Sequence, residues 1–281
     1  MVSRHAIRHL DAPVHSERLT RDHLALIAGH GFEAVEVFAT RAHFDYHDAA
    51  AIADLSAWLT ETGLALHGIH APITDRITPP DAWGDVISNA VTDSAKRQAA
   101  VKEADAALNI ARQIPASVFV VHMGTPVAKG GENNRTAAFR SVEDICRLAE
   151  PIGIRVAVEV IPNPLSDPAS LVALLERDLD APRTGICLDI GHAFLMGDVV
   201  DAIETVSEHL ITTHVHDNKG KGDDHLVPFD GRINWDAALM TLQKVGYDGT
   251  YLMELGNTST PADVLKKALT ARQRFEKLLA Y

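Results

Sequence analysis

The chain alternates between short runs of apolar, often β-branched residues and longer stretches whose apolar positions recur every three or four residues. Eight of the short runs read as strands, around Ala6–His9, Ala34–Phe38, Leu64–His70, Val118–His122, Ile154–Ile161, Gly185–Ile190, Ile211–His216 and Thr250–Leu255. Between them the helical period predicts helices over Arg21–Gly31, Ala49–Gly63, Ser94–Ile114, Asn133–Gly153, Asp167–Leu179, Val199–His209 and Trp235–Gly246, with Pro261–Leu279 closing the chain. The punctuation agrees with the period. Thr20 stands where a side-chain oxygen caps the first helix, and Gly31, Gly63, Gly153 and Gly246 stand where a left-handed residue ends one. Near-continuous apolar strands, each followed by a helix, predict a parallel sheet covered by helices. Eight such units within 281 residues predict an α/β fold of one domain, a single (β/α)8 TIM barrel over residues 1–281. The first strand lacks a following Gly-x-Gly-x-x-Gly turn, which argues against a dinucleotide site.

Composition narrows the classes of function. A formal charge of -12, with no basic cluster, repels nucleic acid and anionic membrane surfaces, so neither is expected as a partner. The two cysteines, Cys146 in a helical pattern and Cys187 in a strand, read as reduced core thiols rather than a disulfide or a zinc site. The start, Met-Val-Ser-Arg-His-Ala-Ile-Arg, has no apolar leader segment, and no run approaches the roughly 20 apolar residues of a membrane span. A cytoplasmic location is the expectation, and a homo-oligomer is compatible with the chain.

The chemistry gathers at strand ends. In Thr184-Gly-Ile-Cys-Leu-Asp-Ile-Gly-His192 an apolar strand stops at a carboxylate and an imidazole where a glycine turn is expected. A lone buried carboxylate costs several kcal/mol, so Asp189 requires a hydrogen-bonding loop, a counter-charge or a metal. The pattern recurs: His70 ends the third strand, His122 the fourth, Glu159 lies in the fifth, and Asp189 and His192 follow the sixth. The seventh strand supplies His214, His216 and Asp217, the loop after it Asp223 and His225, and Glu254 ends the eighth. Taken singly, each has an ordinary reading as a hydrogen-bonded or salt-bridged residue. A barrel brings its carboxyl-terminal strand ends to one mouth, and there the set has the composition of a divalent-metal site without thiolate. Glu159, flanked by Val156-Ala-Val and Val160-Ile, is the carboxylate most in need of a cation. His216 is the weakest of these candidates. Lys219, Lys221 and Arg232 are loop cations, any of which could hold a substrate oxygen, and Lys219 is carried as the candidate.

The ordered motifs His70-Ala-Pro, Val120-Val-His-Met-Gly124, Val158-Glu-Val-Ile-Pro162, Cys187-Leu-Asp-Ile-Gly-His192, His214-Val-His-Asp217, Asp223-Asp-His225 and Met253-Glu254 resemble the xylose-isomerase-like barrel superfamily over nearly the whole chain. Resemblance to its sugar isomerases and epimerases implies one divalent ion, manganese first, with cobalt, magnesium, iron or zinc as alternatives. That ion would be held by Glu159, Asp189, His214 and Glu254. Glu159 and Glu254 would exchange protons with a keto-sugar, while His70, His122, His192, His225 and Lys219 line the substrate site. Resemblance to the apurinic-site endonuclease branch instead implies three zinc ions on His70, His122, Glu159, Asp189, His192, His214, Asp223, His225 and Glu254. Asp-Ile-Gly-His in place of that branch's Asp-Thr-Cys-His, the net charge and the loop from Asp223 to Trp235 favour the sugar branch. Proton abstraction next to a carbonyl then leads to epimerisation, isomerisation or, with a 3-keto-glycoside, elimination, and the residues do not choose among them. A non-catalytic subunit that keeps the barrel fits least well, because the acid and imidazole positions are intact.

Overall fold

The computed structural model describes residues 9–11, 17–78, 82–256 and 259–280. Among these, eight parallel strands close into a barrel in chain order: β1 (His9–Asp11), β2 (Ala34–Phe38), β3 (Ala65–His70), β4 (Val118–Val121), β5 (Arg155–Glu159), β6 (Thr184–Asp189), β7 (Leu210–Val215) and β8 (Tyr251–Met253). Strand β1 pairs with both β2 and β8, which closes the ring and removes the sheet edges. The predicted first strand, Ala6–His9, overlaps the observed one only at His9, and its other residues lie outside the described part.

Helices α1 (Arg21–Gly29), α2 (Ala49–Thr62), α3 (Ser94–Gln113), α4 (Arg135–Ala149), α5 (Pro168–Ala173), α6 (Ile190–Met196), α7 (Val199–Val206), α8 (Trp235–Lys244) and α9 (Pro261–Leu278) cover the barrel. Thr20 caps α1 as the sequence predicts, accepting from the His23 N–H at 3.4 Å, while the His23 imidazole returns a contact to the Thr20 N–H. The four predicted helix-ending glycines all sit in the left-handed region, with φ of 78° at Gly31, 72° at Gly63, 79° at Gly153 and 78° at Gly246. The core between sheet and helices is a single apolar cluster, anchored by Leu24, Ile52, Leu108, Ile203, Trp235 and Phe275. Cys146 and Cys187 are both free thiols. Among the described residues no helix is long and apolar enough to cross a membrane.

Two features depart from the predicted elements. Asp189 does not open a glycine turn; it is the N-cap of α6, accepting the His192 N–H at 2.6 Å. Gly191 is helical, and its lack of a side chain serves packing, because a Cβ there would overlap the imidazole of His216. The connection after β3 also folds back as a short antiparallel hairpin, Ile77–Thr78 with Ala82–Trp83, beside the barrel mouth.

Candidate active site

Side chains alternate along a strand, so a residue at its end shares a face with those two and four positions earlier. Val118, Val120, Ala157 and Cys187 form a small interior cluster of their own, while Phe119, Val121, Val156, Val158, Ile186 and Leu188 belong to the outer core. His122, Glu159 and Asp189 extend the inward set by two residues. The period that fills the barrel therefore also delivers these groups to its carboxyl-terminal mouth, where a cavity of about 610 Å³ opens. Phe38, Ile77, Trp83 and Leu255 form apolar parts of its wall, and Lys129 and Lys221 lie among its lining residues.

Glu159 is the hub. Its Oε2 lies 3.1 Å from His70 Nε2 and 3.0 Å from His122 Nε2, and its Oε1 lies 3.1 Å from His214 Nδ1. The same His214 Nδ1 is 3.1 Å from Glu254 Oε2. Donor atoms of Glu159, Asp189, His214 and Glu254 all fall within 4.8 Å of one another, as do those of His70, His122 and Glu159, and those of His192, His216, Asp223 and His225. In the third group Asp223 Oδ2 sits 3.0 Å from His192 Nε2 and 3.1 Å from His225 Nε2, and Asp189 Oδ1 reaches His216 Nε2 at 3.0 Å. Apart from Asp217, the strand-end carboxylates and imidazoles named from the sequence thus gather in three adjoining donor groups at one mouth.

The donor set fits a divalent cation. The Nδ1 of His70 lies 2.9 Å from the Ala71 carbonyl, which only accepts, so Nδ1 carries the proton. A neutral ring then turns its Nε2 lone pair toward a carboxylate oxygen of Glu159, which is repulsive unless a cation lies between them or the ring is protonated. The buried Nδ1 atoms of His122, His192 and His216 and Oδ1 of Asp223 have no hydrogen-bond partner. Charge makes the same demand. Burial opposes ionisation of Glu159, yet the His214 and His122 imidazoles outweigh it and hold the carboxyl well below the usual carboxylate range. Burial likewise opposes charge on His192, and Asp189 and Asp223 nevertheless push it up to about 10. A concentration of buried carboxylates calls for positive charge, supplied by imidazolium or by a metal ion.

The loop after β7 depends on Asp217. Its carboxylate accepts from the N–H groups of Asn218 at 2.9 Å, Phe229 at 2.9 Å, Arg232 at 3.0 Å and Ile233 at 3.1 Å, and from Trp235 Nε1 at 2.9 Å. This clamp presents Asp223 and His225. His225 itself has φ of 45°, a conformation costly for a side chain other than glycine, and is held by the Gly256 N–H donating to its carbonyl at 2.9 Å.

Lys219 does not reach the cavity. Both Lys219 and Lys221 are exposed, but beyond the turn at Gly220, where φ is 76°, it is Lys221 and not Lys219 that lines the wall. His216, the weakest candidate from sequence, is fully buried within the third donor group. Glu36 was missed altogether, although it carries the signal that marks Glu159, a carboxylate inside an apolar strand. It is buried, and its Oε1 lies 3.0 Å from His214 Nε2.

The family model described as xylose isomerase-like TIM barrel matches residues 24–275. The chain belongs to that family. A ketose 3-epimerase of Arthrobacter globiformis is 27% identical over 201 residues, covering 65% of this chain and 66% of that protein. An uncharacterized protein of Methanocaldococcus jannaschii is 30% identical over 203 residues, 67% of this chain and 64% of that one, so the chain spans somewhat less than two thirds of that relative. The crystal structure of a D-tagatose 3-epimerase-like protein superposes with a TM-score of 0.78 and 25% identity, over 97% of this chain and 96% of that one. Structural relatives of this xylose isomerase-like barrel thus include sugar epimerases, and solved barrels of the same fold hold zinc in one case and magnesium in another.

Proposed function

We propose that the protein is a divalent-metal-dependent keto-sugar epimerase or isomerase whose ion is held by Glu159, Asp189, His214 and Glu254. The observation that carries this reading is the convergence of two glutamates from different strands on one imidazole nitrogen at the cavity floor, each at 3.1 Å. Three carboxylates and one imidazole make a mainly oxygen donor set, which suits manganese, with cobalt, magnesium, iron or zinc as alternatives. When bound, such an ion polarises a carbonyl and stabilises the negative charge that develops beside it.

The chain's own residues supply the rest. One glutamate removes the proton from the carbon next to the carbonyl, and the other returns a proton. Both are held ionised, Glu254 against its burial by the His214 and His225 imidazoles, so either can begin as the base. Return to the opposite face of the same carbon gives an epimer, and return to the neighbouring carbon gives an isomer. Loss of a leaving group from a 3-keto-glycoside gives elimination, which makes a 3-keto-glycoside lyase a variant of the same site. His70, His122, His192 and His225 line the cavity at positions suited to sugar hydroxyls. The test is incubation with a panel of ketoses and 3-keto-sugars in deuterium oxide with manganese. Exchange of the α-proton with at least one of them is the expected result, and no exchange across the panel counts against the reading.

A second reading has a specific observation in its favour: the three donor groups could hold three ions. A phosphodiester hydrolase of the apurinic-site endonuclease type would use neighbouring zinc ions to stabilise attacking and leaving oxygens. The net charge of -12 works against a polyanionic substrate. Counting bound metal per chain after purification without chelator separates the two. About one firmly held ion fits the sugar enzyme, and three zinc ions fit the hydrolase.

A further inference from the structure

We infer that Glu36 is a positioning residue that decides which nitrogen of His214 faces the donor group. An imidazole in the barrel floor has two nitrogens to satisfy, and here they face different partners. Nδ1 points to Glu159 Oε1 and Glu254 Oε2, each at 3.1 Å, and Nε2 points to Glu36 Oε1 at 3.0 Å. A carboxylate only accepts, so Glu36 holds a proton on Nε2, and Nδ1, which Glu159 and Glu254 can also draw into protonation, is the nitrogen left to give its lone pair to a cation. An outer carboxylate behind a metal-binding imidazole also makes the inner nitrogen a better donor.

The barrel is built to accommodate this arrangement. The ladder between β2 and β3 slips by one residue after Val35, which sets Glu36 opposite Gly68. A Cβ at Gly68 would fall on the Glu36 carboxylate, 3.0 Å from its Cδ and 3.0 Å from Val118 Cγ2. Glycine inside a strand weakens it and calls for a reason, and here the reason is the room that the Glu36 head group occupies. Glu36 and Gly68 therefore act as a pair, although neither belongs to the proposed ligand set. The inference about metal binding rests on the one-ion reading above; the inference about the ring's orientation does not.

The test uses the metal-free protein and manganese alone. In the metal-free protein, nitrogen-labelled histidine should show an exchange-protected Nε2–H signal for His214. Glu36→Gln, whose amide oxygen still accepts, should keep it, and Glu36→Leu should lose it. Manganese titrations should show the dissociation constant raised about 10- to 100-fold in Glu36→Leu and less in Glu36→Gln. Gly68→Ala, which leaves every charge in place but displaces the carboxylate, should weaken manganese binding in the same direction. Thermal unfolding of each variant checks that the barrel is intact, and Glu36→Gln gives a reading even where Glu36→Leu does not fold. A protected signal and parental manganese affinity in Glu36→Leu would overturn the inference. If the parent binds no manganese, the one-ion reading fails, and the Nε2–H signal still judges Glu36: loss in Glu36→Leu supports its role and retention refutes it.

Discussion

The donors carried by strands and the donors carried mainly by the loop after β7 share one cavity but are held in different ways. Glu159, Asp189, His214 and Glu254 offer three oxygens and one nitrogen from the ends of four strands. Their positions follow from sheet register, and their side chains are at most 8% exposed. His192, His216, Asp223 and His225 offer three nitrogens and one oxygen, and Asp223 and His225 stand on a loop with side chains 30% and 24% exposed. Strand ends cannot move without breaking the ladder, whereas the loop pair depends on the Asp217 clamp and on a left-handed His225. In the proposed function, the donors assigned to proton transfer stand on the backbone fixed by the sheet, and His225, assigned to recognition, stands on the loop.

The sharpest way to break that comparison is at its centre. Glu159→Gln and Glu254→Gln should each lower turnover by about 10² to 10⁴ while leaving the fold intact, because each removes a proton-transfer group and a charged donor. Steady-state rates with manganese present, beside circular dichroism, measure this. Near-normal turnover by either variant would refute the roles assigned to the strand-borne carboxylates.

Next in size is the clamp. Asp217→Asn turns an NH2 group toward two or more of the N–H donors now satisfied, at a cost of about 1–3 kcal/mol for each one left unpaired. Hydrogen exchange should speed up over residues 218–232, with a lower unfolding temperature, while manganese affinity at the strand-borne group stays near the parent's. Equal loss at both groups would show that the division between them is false.

A smaller effect is expected from replacing His122 and His225 together with alanine. Substrate affinity should fall about 10-fold, the lower end of what losing such partners costs, and the firmly held ion should remain. Metal analysis of parent and double variant decides this, and loss of two of three zinc ions would favour the hydrolase instead.

The smallest effect serves as a control away from the mouth. Glu103 accepts from Tyr46 Oη at 2.6 Å and contacts His47 Nε2 at 2.9 Å. Burial works against its charge, but these two partners prevail and hold its carboxyl below the usual value. A depressed folded-state pKa adds stability that is present above the unfolded value, near 4.3, and lost as pH falls through the folded one. Glu103→Gln should therefore flatten the acid side of the stability curve, by under about 1 kcal/mol for a partly exposed pair. Thermal unfolding from pH 3 to 6 reads the slope. Any loss of manganese binding that keeps its pH dependence in Glu103→Gln then belongs to the site and not to the fold.

Local rules and two periodicities carried the reading of the chain a long way. Period two places His122, Glu159 and Asp189 on the face of Val120, Ala157 and Cys187, and strand–helix alternation brings strand ends to one mouth, so the candidate donors could be named before any coordinates. Helix ends at Thr20, Gly31, Gly63, Gly153 and Gly246 are equally local, since a capping oxygen or a left-handed residue acts within one turn. What depends on contacts across the chain was decided only by the tertiary structure. Glu36 matters because a slipped ladder sets it against Gly68 and behind His214, 178 residues away. His216 joins the third donor group because Gly191 leaves space for its ring, Asp189 caps a helix rather than a turn, and beyond the turn at Gly220 it is Lys221 rather than Lys219 that lines the cavity. A strand's pattern states which face a side chain takes. Its neighbours there are set by register, packing and loop closure, whose energies arise only when distant segments meet.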